Sequence, residues 1–293
     1  MKVDYSYVDT FFKIIDGNAD IRELESNVGF QTILSHALLT GNDFNLKSID
    51  DAVKGISDQA YGLRNLLKNV DRIKALYKML RTHEKKWVEE VREYTGKLFN
   101  NINNEITMVF PVVGYDIGIG INNIVCVNLN SEICLKDYRE LISVIIHETT
   151  HTYYETIHGP ILDFFKIDTS EYMKNLLDNA IQYEGAGVFS AEEYRVKNNL
   201  PKTGSPIQED YNISTNKTNR MNLFQEYKHL SNSLISGELK ETEDFMRRGF
   251  GESKLAHRLG YSIFTEINKV KGIEGVREAI HMSNKDFIEK FLK

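Results

Sequence analysis

The stretch Val144-Ile-Ile-His147-Glu148-Thr-Thr-His151-Thr-Tyr-Tyr154 decides how the rest of the chain is read. It sits inside residues 136–157, whose spacing predicts one strong helix stopped by Gly159-Pro160. On a helix, positions i and i+4 share a face one turn apart, so His147 and His151 can offer two imidazole nitrogens to a single ion. One Zn²⁺ suits that pair. Glu148 points to the adjacent flank, where a carboxylate can take a proton from activated water without binding the metal. With 8 His and 25 Glu in 293 residues, composition alone produces this spacing in about one such chain in fifty. The weight therefore comes from its setting: a helix that follows a β-rich stretch and carries the small Thr149 and Thr150 between the histidines. A decoy elsewhere, His83-Glu84-Lys-Lys-Trp87, begins alike but has Trp where the second histidine would stand.

A catalytic zinc takes three protein ligands and keeps one position open. His158 is seven residues past His151, about 10 Å further along an unbroken helix, too far to share an ion. Glu184 is the better candidate. It falls in Asn179-Ala-Ile-Gln-Tyr-Glu184-Gly185-Ala186-Gly187 on a second helix, whose small residues allow a close helix approach. Glu192 and Glu193, two turns later, are the fallbacks.

Outward from this pair of helices the texture differs on each side. Towards the N-terminus, residues 105–113, 117–121 and 124–129 are β-rich, and Asn122-Asn123 suits the positive φ angles of a tight hairpin, so a small antiparallel sheet is expected. Gly114, Gly118 and Gly120 lack the pattern of a phosphate loop and read as close backbone approach or strand twist. Before the sheet, residues 5–93 read as helical. Leu63, Leu66, Leu67, Val70, Ile73, Leu76, Leu80, Trp87 and Val91 form the inward stripe of one long amphipathic helix, with mixed charges on its wet face. Towards the C-terminus helices are expected at 170–197, 221–236, 252–270, 273–280 and 285–292. Residues 201–219, crowded with Pro, Gly, Ser, Thr and Asn, read as a long loop.

Composition excludes several classes. Hydrophobic residues make up 41% and charged residues 27%, with 4 prolines, which argues against disorder and low-complexity repeats. A net charge of −6 provides no field for nucleic acid or an anionic bilayer. No leader-like apolar segment and no long apolar run stand out, and Cys126 and Cys134 form no disulfide framework, so a cytoplasmic protein with reduced thiols is expected.

His147-Glu148-x-x-His151 followed by Glu184-Gly185 resembles the gluzincin group of zinc metallopeptidases. It looks more closely like the zinc-dependent proteases that carry a Glu-Gly-x-Ala or Glu-Gly-x-Gly helix for the third ligand. The resemblance covers about residues 105–290 and includes Leu259-Gly260-Tyr261 as a Gly-Tyr element. The aminopeptidase Gly-x-Met-Glu-Asn element is absent, as is an aspartate four residues after the ligand glutamate, so no subfamily substrate carries over. The resemblance implies one Zn²⁺ on His147, His151 and Glu184, Glu148 as general base and acid, and a peptide or protein substrate. An oxyanion donor is also implied, with Tyr261 the first candidate and His257 the second.

The expected architecture is α+β, mainly helical and zincin-like: a helical region over 1–100, then a metallopeptidase-like unit over 101–293 with a small antiparallel sheet, an active-site helix and a helical C-terminal half. An edge strand of the sheet is expected to pair with an extended peptide. The competing readings are a zinc-stabilised binding or regulatory protein without turnover, and a helical interaction protein in which the motif is accidental.

Overall fold

Asn122 and Asn123 both adopt positive φ, at 50° and 61°, and turn strand β3 (Gly118–Ile121) back onto β4 (Ile124–Val127). The hairpin is antiparallel, with Ile121 opposite Ile124. The structure is a computed structural model; the residues described are 1–56, 66–99, 105–160, 169–200, 206–239, 241–251 and 253–293. The expected stripe residue Leu63, the join at 100/101 and residues 201–205 of the expected loop lie outside them.

The sheet corrects the antiparallel expectation. Strand β2 (Thr107–Val109) pairs in parallel with β4, and β1 (Lys2–Asp4) pairs in parallel with β2, giving the order β1-β2-β4-β3. The sheet is thus mixed. A parallel neighbour needs a crossover of a dozen residues or more, and here five α-helices lie between β1 and β2 among the described residues. Three-residue strands are too short to show a period of two, so Lys2–Asp4 leaves no alternation to read. The nominally helical first hundred residues therefore donate an edge strand.

By its internal contacts the chain divides into two units, Met1–Thr95 with Asn101–Tyr153, and Gly96–Asn100 with Tyr154–Lys293. The first holds the sheet and the helices α1 (Ser6–Ile15), α2 (Val28–Thr40), α3 (Leu46–Val53), α4 (Leu66–Thr82), α5 (Glu84–Gly96, to Thr95) and α6 (Glu132–Lys136). It also holds most of α7 (Tyr138–His158). The single long helix expected across Leu66 to Val91 is two helices. Trp87 explains the break: its indole N–H donates to the Leu80 carbonyl at 3.0 Å, an oxygen that an unbroken helix would offer to Glu84 N–H. The stripe also shifts, since Leu67 is 51% exposed while Asn69 is buried and donates to Asn130 Oδ1 at 2.9 Å. Trp87 then packs edge-on to Phe110, which stacks on Tyr5 at 5.4 Å. This aromatic group anchors the strand ends.

The second unit is helical among its described residues. It holds α8 (Ser170–Lys197), α9 (Pro206–Thr215), α10 (Lys217–Ile235), α11 (Thr242–Gly249), α12 (Leu255–His281) and α13 (Asn284–Phe291). Most of the loop expected over 201–219 is helix. Pro206 opens α9, at a position where its missing N–H costs nothing. Asn216 caps α10, its side chain accepting from the Thr218 and Asn219 N–H groups. Residues that read as loop formers are thus helix starts. The two helices expected at 252–270 and 273–280 are the two arms of α12, which part at Gly272, where φ is +66° and ψ −168°, both non-helical. α11 adds a helix that the sequence does not lead one to expect; its buried contribution is small, chiefly Phe245. No helix among the described residues is long and apolar enough to cross a membrane.

Candidate metal centre

From Glu140 to Tyr154, α7 is buried around its whole circumference, with His147 the one residue left half-buried. A helix apolar on every side belongs in the interior, and Leu141, Ile142, Val144, Ile145 and Ile146 make it so. The histidine motif is therefore held by packing rather than by a loop.

Strand β3 runs over this helix at Glu148. A methyl group at Gly118 would stand 2.7 Å from Glu148 Oε1, and one at Gly120 would stand 2.3 Å from the Glu148 carbonyl oxygen. Neither position tolerates a side chain, so both glycines are read correctly as sites of close backbone approach. They bring an edge strand of the sheet directly onto the turn that carries the motif.

The His147 and His151 rings lie 4.4 Å apart between centroids and 72° to each other. Glu148 Oε2 is 3.2 Å from His151 Nδ1. A carboxylate only accepts, so Nδ1–H donates, and Nε2 keeps the lone pair that a metal requires. The sequence did not identify this orienting partner, because it is the neighbouring glutamate on the same helix, already assigned another task.

Glu184 is half-buried on α8. One ring nitrogen each from His147 and His151 and one carboxylate oxygen from Glu184 all lie within 4.8 Å of one another. Two imidazoles and a carboxylate are the His₂Glu donor set of a catalytic zinc site, whose bonds are about 2.0–2.2 Å long. The residues fit one Zn²⁺.

α12 crosses α8 immediately beside Glu184. A methyl at Gly185 would stand 2.5 Å from the Gly260 carbonyl carbon, and one at Gly260 would stand 2.0 Å from the Ile181 carbonyl oxygen. The two backbones touch. One helical turn before Gly260, His257 places Nε2 3.0 Å from Glu184 Oε2.

The remaining candidates have other partners. His158 Nε2 donates to the Ile280 carbonyl at 2.7 Å, and its ring lies against Tyr154, so its absence from the donor set follows from packing as well as helix pitch. Burial lowers its pKa from the usual imidazole value. Glu193 binds Lys97 at 2.6 Å. Glu192 lies beside Tyr261, where burial and then the Glu192 charge push the phenol's pKa up. Tyr261 itself is fully buried in a cluster with Val188 and Tyr211, edge-on to the Tyr211 ring at 4.9 Å. Its hydroxyl makes no hydrogen bond. Of the two oxyanion candidates, His257 rather than Tyr261 is the one in contact with a donor residue. Tyr154 and Tyr183 pack edge-on at 5.6 Å, as flanking aromatic residues do.

No curated protein and no solved structure gives a significant match to the chain. One family model does, and it spans residues 15–293, which take in every residue of the motif, the Glu184 helix and His257. The chain belongs to the family described as "Putative zinc dependent peptidase (DUF5700)".

Proposed function

We propose that the protein hydrolyses peptide bonds with one zinc ion held by His147, His151 and Glu184, in the manner of the gluzincins. The observation that carries the reading is the convergence of three donor atoms within 4.8 Å, one turn and one neighbouring residue from the buried carboxylate of Glu148. When bound, zinc supplies a Lewis acid that polarises the scissile carbonyl and lowers the pKa of water.

The chain's own residues do the rest. His151 is held in one tautomer by Glu148, and the helix fixes His147 one turn away. Glu148 accepts the proton of the attacking water at a carboxylate oxygen and delivers it to the departing amine, so one group serves as base and then as acid. Its setting suits this work: the side chain is about a tenth exposed, which keeps bulk water from competing for the proton. Strand β3 lies across the same turn, and as an edge strand it offers backbone groups with which an extended peptide can pair. The substrate is thus a peptide or protein segment in extended form.

The test is a pair of measurements on the purified protein. Dialysis against trace zinc followed by elemental analysis is expected to give one equivalent, and Glu148→Gln is expected to keep the zinc while losing turnover of a mixed peptide library. Well under one equivalent in the parent sinks the proposal. Zinc retained with equal hydrolysis, or with none, in both parent and Glu148→Gln would point instead to a metal-stabilised binding protein.

A further inference from the structure

We propose that His257 is the positioning residue for the Glu184 carboxylate, holding Oε2 so that the other oxygen is the one presented to the metal. This rests on the proposed zinc site. Nε2 of His257 lies 3.0 Å from Glu184 Oε2, and the side chains are 27% and 14% exposed, so the pair is largely shielded from competing water. The contact is one of ion-pair distance rather than a directed hydrogen bond, so the imidazole acts on the carboxylate by charge and by packing.

The geometry that sets this contact is built into two glycines. Glu184 directly precedes Gly185, and His257 lies three residues before Gly260, the same helical face one turn earlier. Gly185 and Gly260 meet backbone to backbone, so a Cβ on either would overlap the other helix. At that approach the His257 imidazole meets the Glu184 carboxylate at 3.0 Å. Elsewhere along α8, Gln182 donates to the Ala279 and Met282 carbonyls at 2.8 and 3.0 Å. These bonds, two residues before Glu184, tie α8 to the arm of α12 beyond Gly272.

A glutamate has three side-chain torsions, and a ligand that samples several rotamers binds metal weakly. An imidazole held against one oxygen restricts that freedom before the ion arrives, and loss of such an orienting partner typically weakens metal binding by about 10–100-fold.

Zinc affinity is measured by competition with a chromophoric chelator on the parent, His257→Leu and His257→Gln, with circular dichroism to verify folding and the visible bands of the cobalt-loaded protein as a second readout. Leu keeps volume without a polar group; Gln restores a polar N–H beside Oε2. The expected result is a loss of about 10–100-fold in His257→Leu, with altered cobalt bands, and recovery of most of the affinity and the parental spectrum in His257→Gln. Equal affinity and spectra for the parent and His257→Leu overturn the inference while leaving the zinc reading intact. Complete loss of metal in both variants, with the fold retained, overturns it too, since His257 would then be a ligand. If Leu prevents folding, Gln against the parent decides: parental cobalt bands support the positioning role and altered bands refute it. A parent that holds no zinc removes the underlying reading instead.

Discussion

Two places in this molecule bring a backbone onto a helix beside a carboxylate of the proposed site, and they treat the carboxylate differently. At the first, Gly118 and Gly120 of β3 lie on α7 at Glu148; at the second, Gly260 of α12 lies on Gly185 of α8, next to Glu184. The strand delivers no side chain at its contact points, and Glu148 is oriented from its own helix through His151. The helix brings His257 Nε2 to 3.0 Å from Glu184 Oε2, from outside α8. A proton carrier must exchange partners during a reaction, whereas a metal ligand must not move. With Glu148 as the proposed proton carrier and Glu184 as the proposed ligand, a bare glycine strand and a helix bearing His257 suit those two tasks.

Exchanging charge for amide at the two carboxylates should separate them most sharply. Glu148→Gln is expected to lower peptide turnover by about 10²–10⁴-fold with zinc content unchanged. Glu184→Gln, like His147→Ala, should instead lose zinc to a modest chelator, because a ligand has gone. Elemental analysis beside activity distinguishes the two. If Glu184→Gln keeps its zinc while Glu148→Gln loses it, the assignments are reversed.

Next in size are the glycines. Gly120→Ala and Gly260→Ala each force a methyl into backbone, so each should cost about 1–3 kcal/mol in urea unfolding, the ordinary range for overpacking. The sharper expectation concerns the metal: Gly260→Ala should weaken zinc by displacing His257, and Gly120→Ala should lower activity more than affinity. Two variants with the same profile would mean that both contacts serve stability alone.

Tyr261→Phe is the smallest change. The hydroxyl is fully buried and makes no hydrogen bond, so its removal should leave the unfolding midpoint unchanged or raise stability by up to about 1 kcal/mol. Peptide turnover should stay at the parental rate. Turnover reduced by about two orders of magnitude with zinc intact, the size of effect expected for a lost oxyanion donor, would restore Tyr261 to the role that the Gly-Tyr resemblance implies.

Much of this centre is legible in the sequence because it depends on local geometry. His147, Glu148 and His151 are one turn of one helix, and helix pitch alone puts them on adjacent faces. Asn122-Asn123 likewise carries its own turn conformation. Glu184 is legible at one remove, through the small residues next to it. The misreadings share a cause. Over 206–219 the loop reading fails because Asn216 and Pro206 are as much helix starters as loop formers, and the packing of the residues beyond them settles which role they take. The antiparallel sheet is wrong because Lys2–Asp4 pairs with residues more than a hundred positions away. The single helix through His83 breaks on one side-chain bond, from Trp87 to the Leu80 carbonyl.

Donor types, their helical spacing and the mainly helical class are properties of the chain alone, since they derive from 3.6 residues per turn and from side-chain chemistry. The mixed order of the sheet, the burial of Tyr261 and the approach of His257 to Glu184 come into being with the folded structure. Each depends on where two distant backbones meet, and at Gly185 and Gly260 the meeting is permitted by a missing Cβ, whose effect exists only once the partner helix is in place.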